Sequence, residues 1–140
     1  RRLGSSHPVT ASTTLDASVL IALMNAGDAH HRDAVTLVRR AAITGALIAH
    51  PITIAESAVG AAEHGRLQQV RDAFAGLGLA TAPGDPDQPW RLADLRASTR
   101  LPLPDCCVLD VAVESHSVLA TFDIRLAAAA RERGVPVALP

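Results

Sequence analysis

From residue 13 onward, short apolar runs alternate with longer stretches of helical character, and no long linker interrupts the alternation. Strands that are separated by helices need crossover connections, and crossovers produce a parallel sheet that is covered on both faces. The strands are almost wholly apolar, as expected when both faces are buried. The pattern therefore predicts an α/β fold, a three-layer α/β/α sandwich around a parallel sheet of roughly five strands.

The boundaries follow from the periodicity and from the turn residues. We predict strands at residues 13–16, 46–50, 78–81, 117–121 and 135–138, and helices at residues 17–25, 29–42, 53–64, 66–76, 88–100, 105–115 and 124–133. The 140 residues are enough for one domain with one core. We expect residues 13–140 to form that domain and residues 1–12 to be a flexible or vector-derived N-terminal segment.

Composition predicts a compact globule, because 49% of the residues are hydrophobic and the mean hydropathy is +0.22. The longest apolar run, residues 19–24, is far shorter than the ~20 residues of a membrane span. We expect a cytoplasmic protein with no membrane partner, since no signal-like segment precedes the first strand. Cys106 and Cys107 are interpreted as small buried hydrophobes in a reducing compartment.

The chain has no lysine, so all 13 of its basic residues are arginine. Haloacid-dehalogenase-like phosphatases and response-regulator receivers also place an aspartate at a strand end, but both use a lysine in the same chain. Their mechanisms are therefore excluded. The formal net charge of −1 also argues against the broad basic surface of a non-specific nucleic-acid binder.

Four carboxylates stand where such a fold brings chain ends together: Asp16, Glu56, Asp105 and Asp123. Parallel sheets bind ligands at the carboxyl ends of their strands, where Asp16 and Asp123 fall. Carboxylates gathered in one cleft repel by roughly 1 to 4 kcal/mol per close pair, which a bound cation would relieve. Ligand sets made only of oxygen suit Mg²⁺ or Mn²⁺, so we predict a site for such an ion.

Each of the four carboxylates also has a plainer interpretation. Asp16 would cap the helix that follows it, and Glu56 would be an exposed surface residue. Asp105, after the extended residues 101–104, would cap its own helix, and Asp123 would be a turn residue. Capping and metal binding are compatible, because only one carboxylate oxygen needs to face the helix amides.

Other polar residues were weighed against the same cleft. Asp110 and Glu114 lie about 140° and 180° around the helix from Asp105, so both are expected to be solvated. The six histidines lack the spacing of metal ligands, and a zinc site is not expected. The glycine spacing of residues 60–65 matches a P-loop but lacks its lysine and its preceding strand, so we discard that motif.

Four motifs occur in order: TLDASVLI (residues 14–21), TIAE (53–56), LPDCCVL (103–109) and LATFDIRL (119–126). Together they resemble the PIN-domain ribonucleases, and most of all the VapC-type toxins of bacterial toxin–antitoxin pairs. The resemblance covers residues 13–137. It departs from the family at Asp110, where a small or apolar residue is usual and where we expect a neighbouring helix to make contact.

The resemblance implies an acidic quartet of Asp16, Glu56, Asp105 and Asp123, with Mg²⁺ or Mn²⁺ in the cleft. It also implies endonucleolytic cleavage of RNA by a metal-activated water, homodimerisation and inhibition by a cognate antitoxin protein. Asp16 and Asp123 are the first choice as direct ligands, with Asp105 direct or through water. Glu56 would bind metal or take the proton of the water.

Further residues would support the site. Ser18 would either cap the first helix or hydrogen-bond Asp16, and Thr121 would add a second hydroxyl. Arg100 and Arg125 flank the last two carboxylates and would contact RNA phosphates, unless they only solubilise the surface. With no tyrosine and only three aromatic residues, the composition does not favour a base-stacking platform. The alternative function is a catalytically silent PIN-like module that binds RNA or protein.

Overall fold

The computed structural model describes residues 11–140, within which seven helices alternate with four short strands. The strands are β1 (Thr13–Leu15), β2 (Leu47–Ala49), β3 (Leu79–Thr81) and β4 (Val118–Ala120). The helices are α1 (Ala17–Met24), α2 (His31–Thr44), α3 (Pro51–Glu63), α4 (Leu67–Gly76), α5 (Gln88–Thr99), α6 (Leu103–Glu114) and α7 (Ile124–Glu132). All seven predicted helices are present. The predictions made for residues 1–10 lie outside the described residues.

All strand pairs are parallel, and their order across the sheet is β3-β2-β1-β4. Thr14 pairs with Ile48 of β2 on one side and with Leu119 of β4 on the other. The strand order therefore reverses at β1. Doubly wound sheets bind their ligands at such a point, beyond the carboxyl ends of the strands. The predicted α/β fold is confirmed.

The predicted fifth strand, residues 135–138, is reduced to a single parallel bridge between Leu119 and Val137. The Leu119 N–H donates to the Pro136 carbonyl, and the Ala138 N–H donates to the Leu119 carbonyl. Pro136 has no N–H to offer a further neighbour, which confines it to the sheet edge. Within residues 11–140, the sheet thus has four full strands and one bridged edge segment.

Two hydrophobic clusters cover the sheet. One contains Leu15 with apolar residues of α1 to α4, and the other contains Leu119 with residues of α6 and α7. Ala120 belongs to the first cluster although it adjoins Leu119. Successive strand residues point to opposite faces, so the clusters lie on opposite sides of the sheet. This arrangement is the predicted three-layer sandwich.

Helix α6 begins at Leu103 with Pro102 as its N-cap residue, two positions earlier than predicted. Pro104 suits the first turn, because its missing N–H would be unpaired there in any case. Asp105 is therefore not the cap of α6 but lies inside its first turn.

Within residues 11–140, no helix combines the length and the apolar character that crossing a membrane requires. Cys106 and Cys107 are both buried and free, as interpreted from the sequence. Burial raises the pKa of both thiols, that of Cys107 to about 11. Neither thiol is thus a ready nucleophile at neutral pH.

Candidate active site

Asp16 follows β1 directly and caps α1, with its Oδ1 accepting from the Ala17 N–H at 2.8 Å. Its Oδ2 accepts from the hydroxyls of Ser18 at 2.9 Å and Thr121 at 2.7 Å. The side chain is buried and its orientation is fixed by three donors. Ser18 therefore bonds Asp16, one of the two roles considered for it.

The same hydroxyls join the ends of β1 and β4. Ser18 Oγ accepts from the Phe122 N–H at 3.1 Å, and Thr121 Oγ1 accepts from the Asp123 N–H at 3.0 Å. Each hydroxyl thus donates to Asp16 and accepts from the chain after β4. The segment that carries Asp123 is held in a fixed position relative to Asp16.

Asp123 is the N-cap of α7, where its Oδ1 accepts from the N–H groups of Arg125 at 2.9 Å and Leu126 at 3.1 Å. Within residues 11–140, its Oδ2 has no hydrogen-bond partner. One oxygen serves the helix and the other remains for a ligand. The turn interpretation and the ligand interpretation of Asp123 are thus compatible.

Asp105 is half-buried in the first turn of α6. Burial, followed in order by the negative charges of Asp16, Asp123 and Glu56, raises the pKa of its carboxyl to about 6. The charge of Arg125 opposes the shift only weakly. The charges of the other three predicted carboxylates therefore reach Asp105, so the four groups lie in one region of the molecule.

Glu56 lies one turn inside α3, on an exposed part of that helix. Partial burial of its carboxyl and the charge of Asp16 nonetheless raise its pKa. Within residues 11–140, none of the four carboxylates forms a salt bridge with a basic side chain. Among these residues, the cleft therefore concentrates negative charge that no ion pair neutralises.

The donor chemistry of the cleft fits a hard divalent ion, since its ligand atoms in the described part of the chain are carboxylate and hydroxyl oxygens. Among residues 11–140, no three His, Cys, Asp or Glu side chains stand close enough together to form a ready-made metal cage. Mg²⁺ needs no such cage, because it keeps several waters and is held by one or two carboxylates plus substrate phosphate. The repulsion on Asp105 is the strain that such an ion would relieve.

The two predicted phosphate-contacting arginines differ in their placement. Arg125 is exposed in the first turn of α7 and lies near enough to Asp105 to lower the pKa of that carboxyl. Arg100 is the exposed C-cap residue of α5, in a left-handed conformation with φ of 62°. Arg125 is thus the better positioned of the two for a phosphate at the cleft.

Asp110 was expected to be solvated, and that prediction is wrong. Its side chain is 4% exposed and accepts from Arg91 through Nε at 2.8 Å and Nη2 at 3.0 Å. Gln88 donates to the same carboxylate at 3.0 Å. As expected, a neighbouring helix, α5, makes the contact. The Glu114 side chain is half-exposed, and its Oε2 lies 3.9 Å from Arg91 Nε.

Sequence reasoning missed the extension of this network to His50. The Ile52 N–H donates to His50 Nδ1 at 3.0 Å, so the ring proton sits on Nε2 and is donated to the Gln88 side-chain oxygen at 3.0 Å. His50 follows β2 and caps α3, as Asp16 and Asp123 cap the helices after their strands. That shared position was the available signal for its role.

A second feature that the sequence did not reveal is an aromatic pair beside the cleft. The rings of His30 and Phe122 stack with centroids 4.5 Å apart and an interplanar angle of 13°. Phe122 stands between Thr121 and Asp123 in the chain. The two residues are 92 positions apart in number, so no local pattern could pair them.

The PIN domain family matches residues 13–132. No curated protein matches the sequence. Among solved structures, a chain of a toxin–antitoxin complex from Klebsiella pneumoniae is 26% identical, with a TM-score of 0.70. The match covers 84% of this chain and 91% of that one.

Two further structures share the fold at lower identity. Mycobacterium tuberculosis VapC20, described as a Sarcin-Ricin loop cleaving toxin, is 18% identical with a TM-score of 0.74, covering 92% of this chain and 100% of that one. VapBC2 from Rickettsia felis, bound to a DNA fragment from their promoter, is 14% identical with a TM-score of 0.70, covering 90% and 96%.

Proposed function

Because the chain belongs to the PIN domain family, we propose that it is a metal-dependent endoribonuclease and the toxin of a toxin–antitoxin pair. The similarity to a chain of a toxin–antitoxin complex supports the second part. The carboxylate cleft supports the first. The observation that carries the proposal is Asp105, whose pKa is raised to about 6 by burial and by the three other carboxylates.

The roles of the residues follow from their contacts. Asp16 and Asp123 would hold Mg²⁺ or Mn²⁺ directly, Asp105 directly or through water, and Glu56 would bind the ion or accept a proton from the attacking water. When bound, the ion supplies Lewis acidity toward that water and toward the scissile phosphate. Ser18 and Thr121 orient the Asp16 carboxylate. Arg125 would contact an RNA phosphate.

Asp105 is the best position for the test of activity. Asn at position 16 would keep one acceptor oxygen, enough for the α1 cap, but would present an amide NH₂ to the two hydroxyls that donate to Asp16, so lost activity would have two explanations. Asp105 is not a cap, and its replacement by Asn keeps the shape while removing one charge. Asp94 of α5, an exposed carboxylate, provides a matched control.

The experiment measures cleavage of single-stranded RNA with Mg²⁺ or Mn²⁺, with EDTA, and with the variants Asp105→Asn and Asp94→Asn. We expect cleavage by the wild type and by Asp94→Asn, and loss of cleavage with EDTA or with Asp105→Asn. Full activity in EDTA would refute the mechanism. RNA binding without cleavage by the wild type, in either metal, would instead favour the catalytically silent module.

We infer that the antitoxin occupies the groove between α1, α3 and α4. This groove has a volume of about 480 Å³, and Ile21, Met24 and Val70 contribute apolar surface to it. Ile21 and Met24 are each 41% exposed. An antitoxin arginine reaching the cleft would supply the missing counter-charge and would pair bidentately with a carboxylate.

With Met24→Glu, a co-expressed antitoxin should therefore no longer co-elute with the chain in size-exclusion chromatography. The isolated variant should still cleave RNA. Retention of the antitoxin by this variant would contradict the groove assignment. We also propose a homodimer that acts in the cytoplasm, where its RNA substrate is. Analytical ultracentrifugation of the isolated chain measures the predicted dimer directly.

A further inference from the structure

The His30 ring stacks on the Phe122 ring and forms an exposed aromatic surface. The two rings are nearly parallel, with centroids 4.5 Å apart, so the two π-systems form one layered surface. Phe122 is partly buried and packs against the core beneath α1. His30 is exposed, so it covers Phe122 and presents the outer layer of the stack to solvent.

The position of the stack relative to the cleft is fixed by Phe122. The backbone of this residue lies one Cα spacing of about 3.8 Å from Thr121 on one side and from Asp123 on the other. Its N–H donates to Ser18, whose hydroxyl bonds Asp16. The backbone that carries the stack therefore runs between two residues of the carboxylate cleft.

The His30 side chain has no other identified task in the described part of the chain. It is the N-cap residue of α2 but makes no side-chain capping bond. Within residues 11–140, its ring nitrogens have no hydrogen-bond partner. The adjacent His31 is different, because its Nδ1 bonds the Ala22 carbonyl at 2.8 Å and ties α2 to the end of α1.

We propose that His30, supported by Phe122, is a stacking platform for an unpaired RNA base next to the scissile phosphate. The inference rests on the proposed ribonuclease activity and adds a nucleobase subsite to it. Stacking on an aromatic ring accepts any base and requires that the base be out of a duplex. Arg125, beyond Asp123, would hold a phosphate while the base lies on His30. The aromatic content of the sequence did not indicate this platform, because histidine was not counted among the aromatic residues.

The test uses the full chain and a single-stranded RNA whose cleavage positions have first been mapped in Mg²⁺. Cleavage kinetics are compared for the wild type, His30→Ala, His30→Phe and the control His64→Ala, an exposed histidine after α3. The same RNA is then prepared with one abasic nucleotide at each position that flanks the cleavage site. Thermal melts with and without Mg²⁺ accompany every variant.

We expect His30→Ala to raise KM roughly tenfold with little change in kcat, the size expected for one lost stacking contact. His30→Phe should stay within about twofold of the wild type, since it keeps the ring. At one flanking position, the abasic substitution should remove the difference between the wild type and His30→Ala. Melting temperatures and Mg²⁺-induced shifts should remain those of the wild type.

The proposal fails if His30→Ala has the KM of the wild type, or if His30→Phe is as impaired as His30→Ala. It also fails if the difference between the wild type and His30→Ala persists at every abasic position. If the wild type cleaves no RNA, the proposed function fails instead. In that case, fluorescence anisotropy with the same RNAs and variants decides whether the base subsite exists.

Discussion

Helix α6 carries two aspartates in different electrostatic settings. Asp110 is buried against α5 and has its counter-charge in the chain, with Arg91 and Gln88 donating to both of its oxygens. Asp105 is half-buried, burial and the charges of three further carboxylates raise its pKa, and within residues 11–140 it forms no salt bridge. Among the described residues, one aspartate has its counter-charge in the chain and the other has no ion-pair partner.

The counter-charge, and not the degree of burial, is what distinguishes these two carboxylates. Asp110 is the more buried of the two, yet its environment is complete and leaves little for a ligand to do. Buried charges are tolerated when they are paired and hydrogen-bonded. A carboxylate without a counter-charge, such as Asp105 among the described residues, destabilises the fold through repulsion. A bound cation would relieve that repulsion.

The largest effect should come from removing the counter-charge of Asp110. Arg91→Ala would leave a buried carboxylate with only Gln88 as a donor, and we expect the melting temperature to fall by roughly 10 °C. Arg96→Ala, on the same helix and exposed, is the control and should change it little. Differential scanning calorimetry at pH 7 measures both.

Equal melting temperatures for Arg91→Ala and Arg96→Ala would contradict the role given to Arg91 as the counter-charge of Asp110. A second variant distinguishes the lost pair from lost packing. Arg91→Met combined with Asp110→Leu removes both charges together, and much of the stability should return because no buried charge is left unpaired. If the double variant is as unstable as Arg91→Ala, the packing of the arginine stem, and not its charge, was the important contribution.

Removing the charge of Asp105 should have the opposite effect on stability while impairing function. Asp105→Asn should lower the rate of metal-dependent RNA cleavage by roughly 100-fold or more. Without metal, its melting temperature should rise by about 2–4 °C, since one charge leaves a partly solvated cluster and the gain is on the order of 1 kcal/mol. An active variant, or one less stable in EDTA, would remove Asp105 from the site.

The sequence allowed the meeting of Asp16 with Thr121 to be predicted, but not the ion pair of Asp110 with Arg91. Asp16, Thr121 and Asp123 could be brought together because residues that follow neighbouring parallel strands meet at one sheet edge. The partner of Asp110 lies 19 positions away on another helix. Helical periodicity shows only that Asp110 and Asp105 face apart. What covers each face depends on how α5 packs on α6, which no local pattern encodes.

The same distinction explains the smaller misses. The start of α6 was predicted two positions too late because Asp105 is a good capping residue. Pro102 and Pro104 favour the earlier start through their backbone geometry. Residues 135–138 have the composition of a strand but lie at the sheet edge, where Pro136 limits pairing. The start of α6 was thus settled by local backbone geometry, whereas the pairing of residues 135–138 depends on their place in the tertiary fold.

Added Mg²⁺ should stabilise the protein through the carboxylate cleft. Mg²⁺ bound only by the folded cleft stabilises by mass action, by about 2.7 kcal/mol at 100 times its dissociation constant. Thermal melts with and without Mg²⁺ should therefore show a larger upward shift for the wild type than for Asp105→Asn. Asp94→Asn should respond as the wild type does. Equal shifts in all three proteins would mean that Mg²⁺ binds elsewhere.

The smallest effect should be a pH dependence that belongs to Asp105 alone. Its folded-state pKa of about 6 lies above the ordinary value of 3.8, so the folded protein binds this proton more tightly than the unfolded chain does. The associated stability is fully present below about pH 4 and is lost as pH rises through 6.

In EDTA, the melting temperature of the wild type should thus fall relative to that of Asp105→Asn between pH 4 and 6. Above pH 6, the difference between the two melting temperatures should stay constant. The difference between the two proteins isolates this carboxyl, because the other titrating groups are common to both. A constant difference over that range would mean that Asp105 has an ordinary pKa and that the cleft exerts no net repulsion on it.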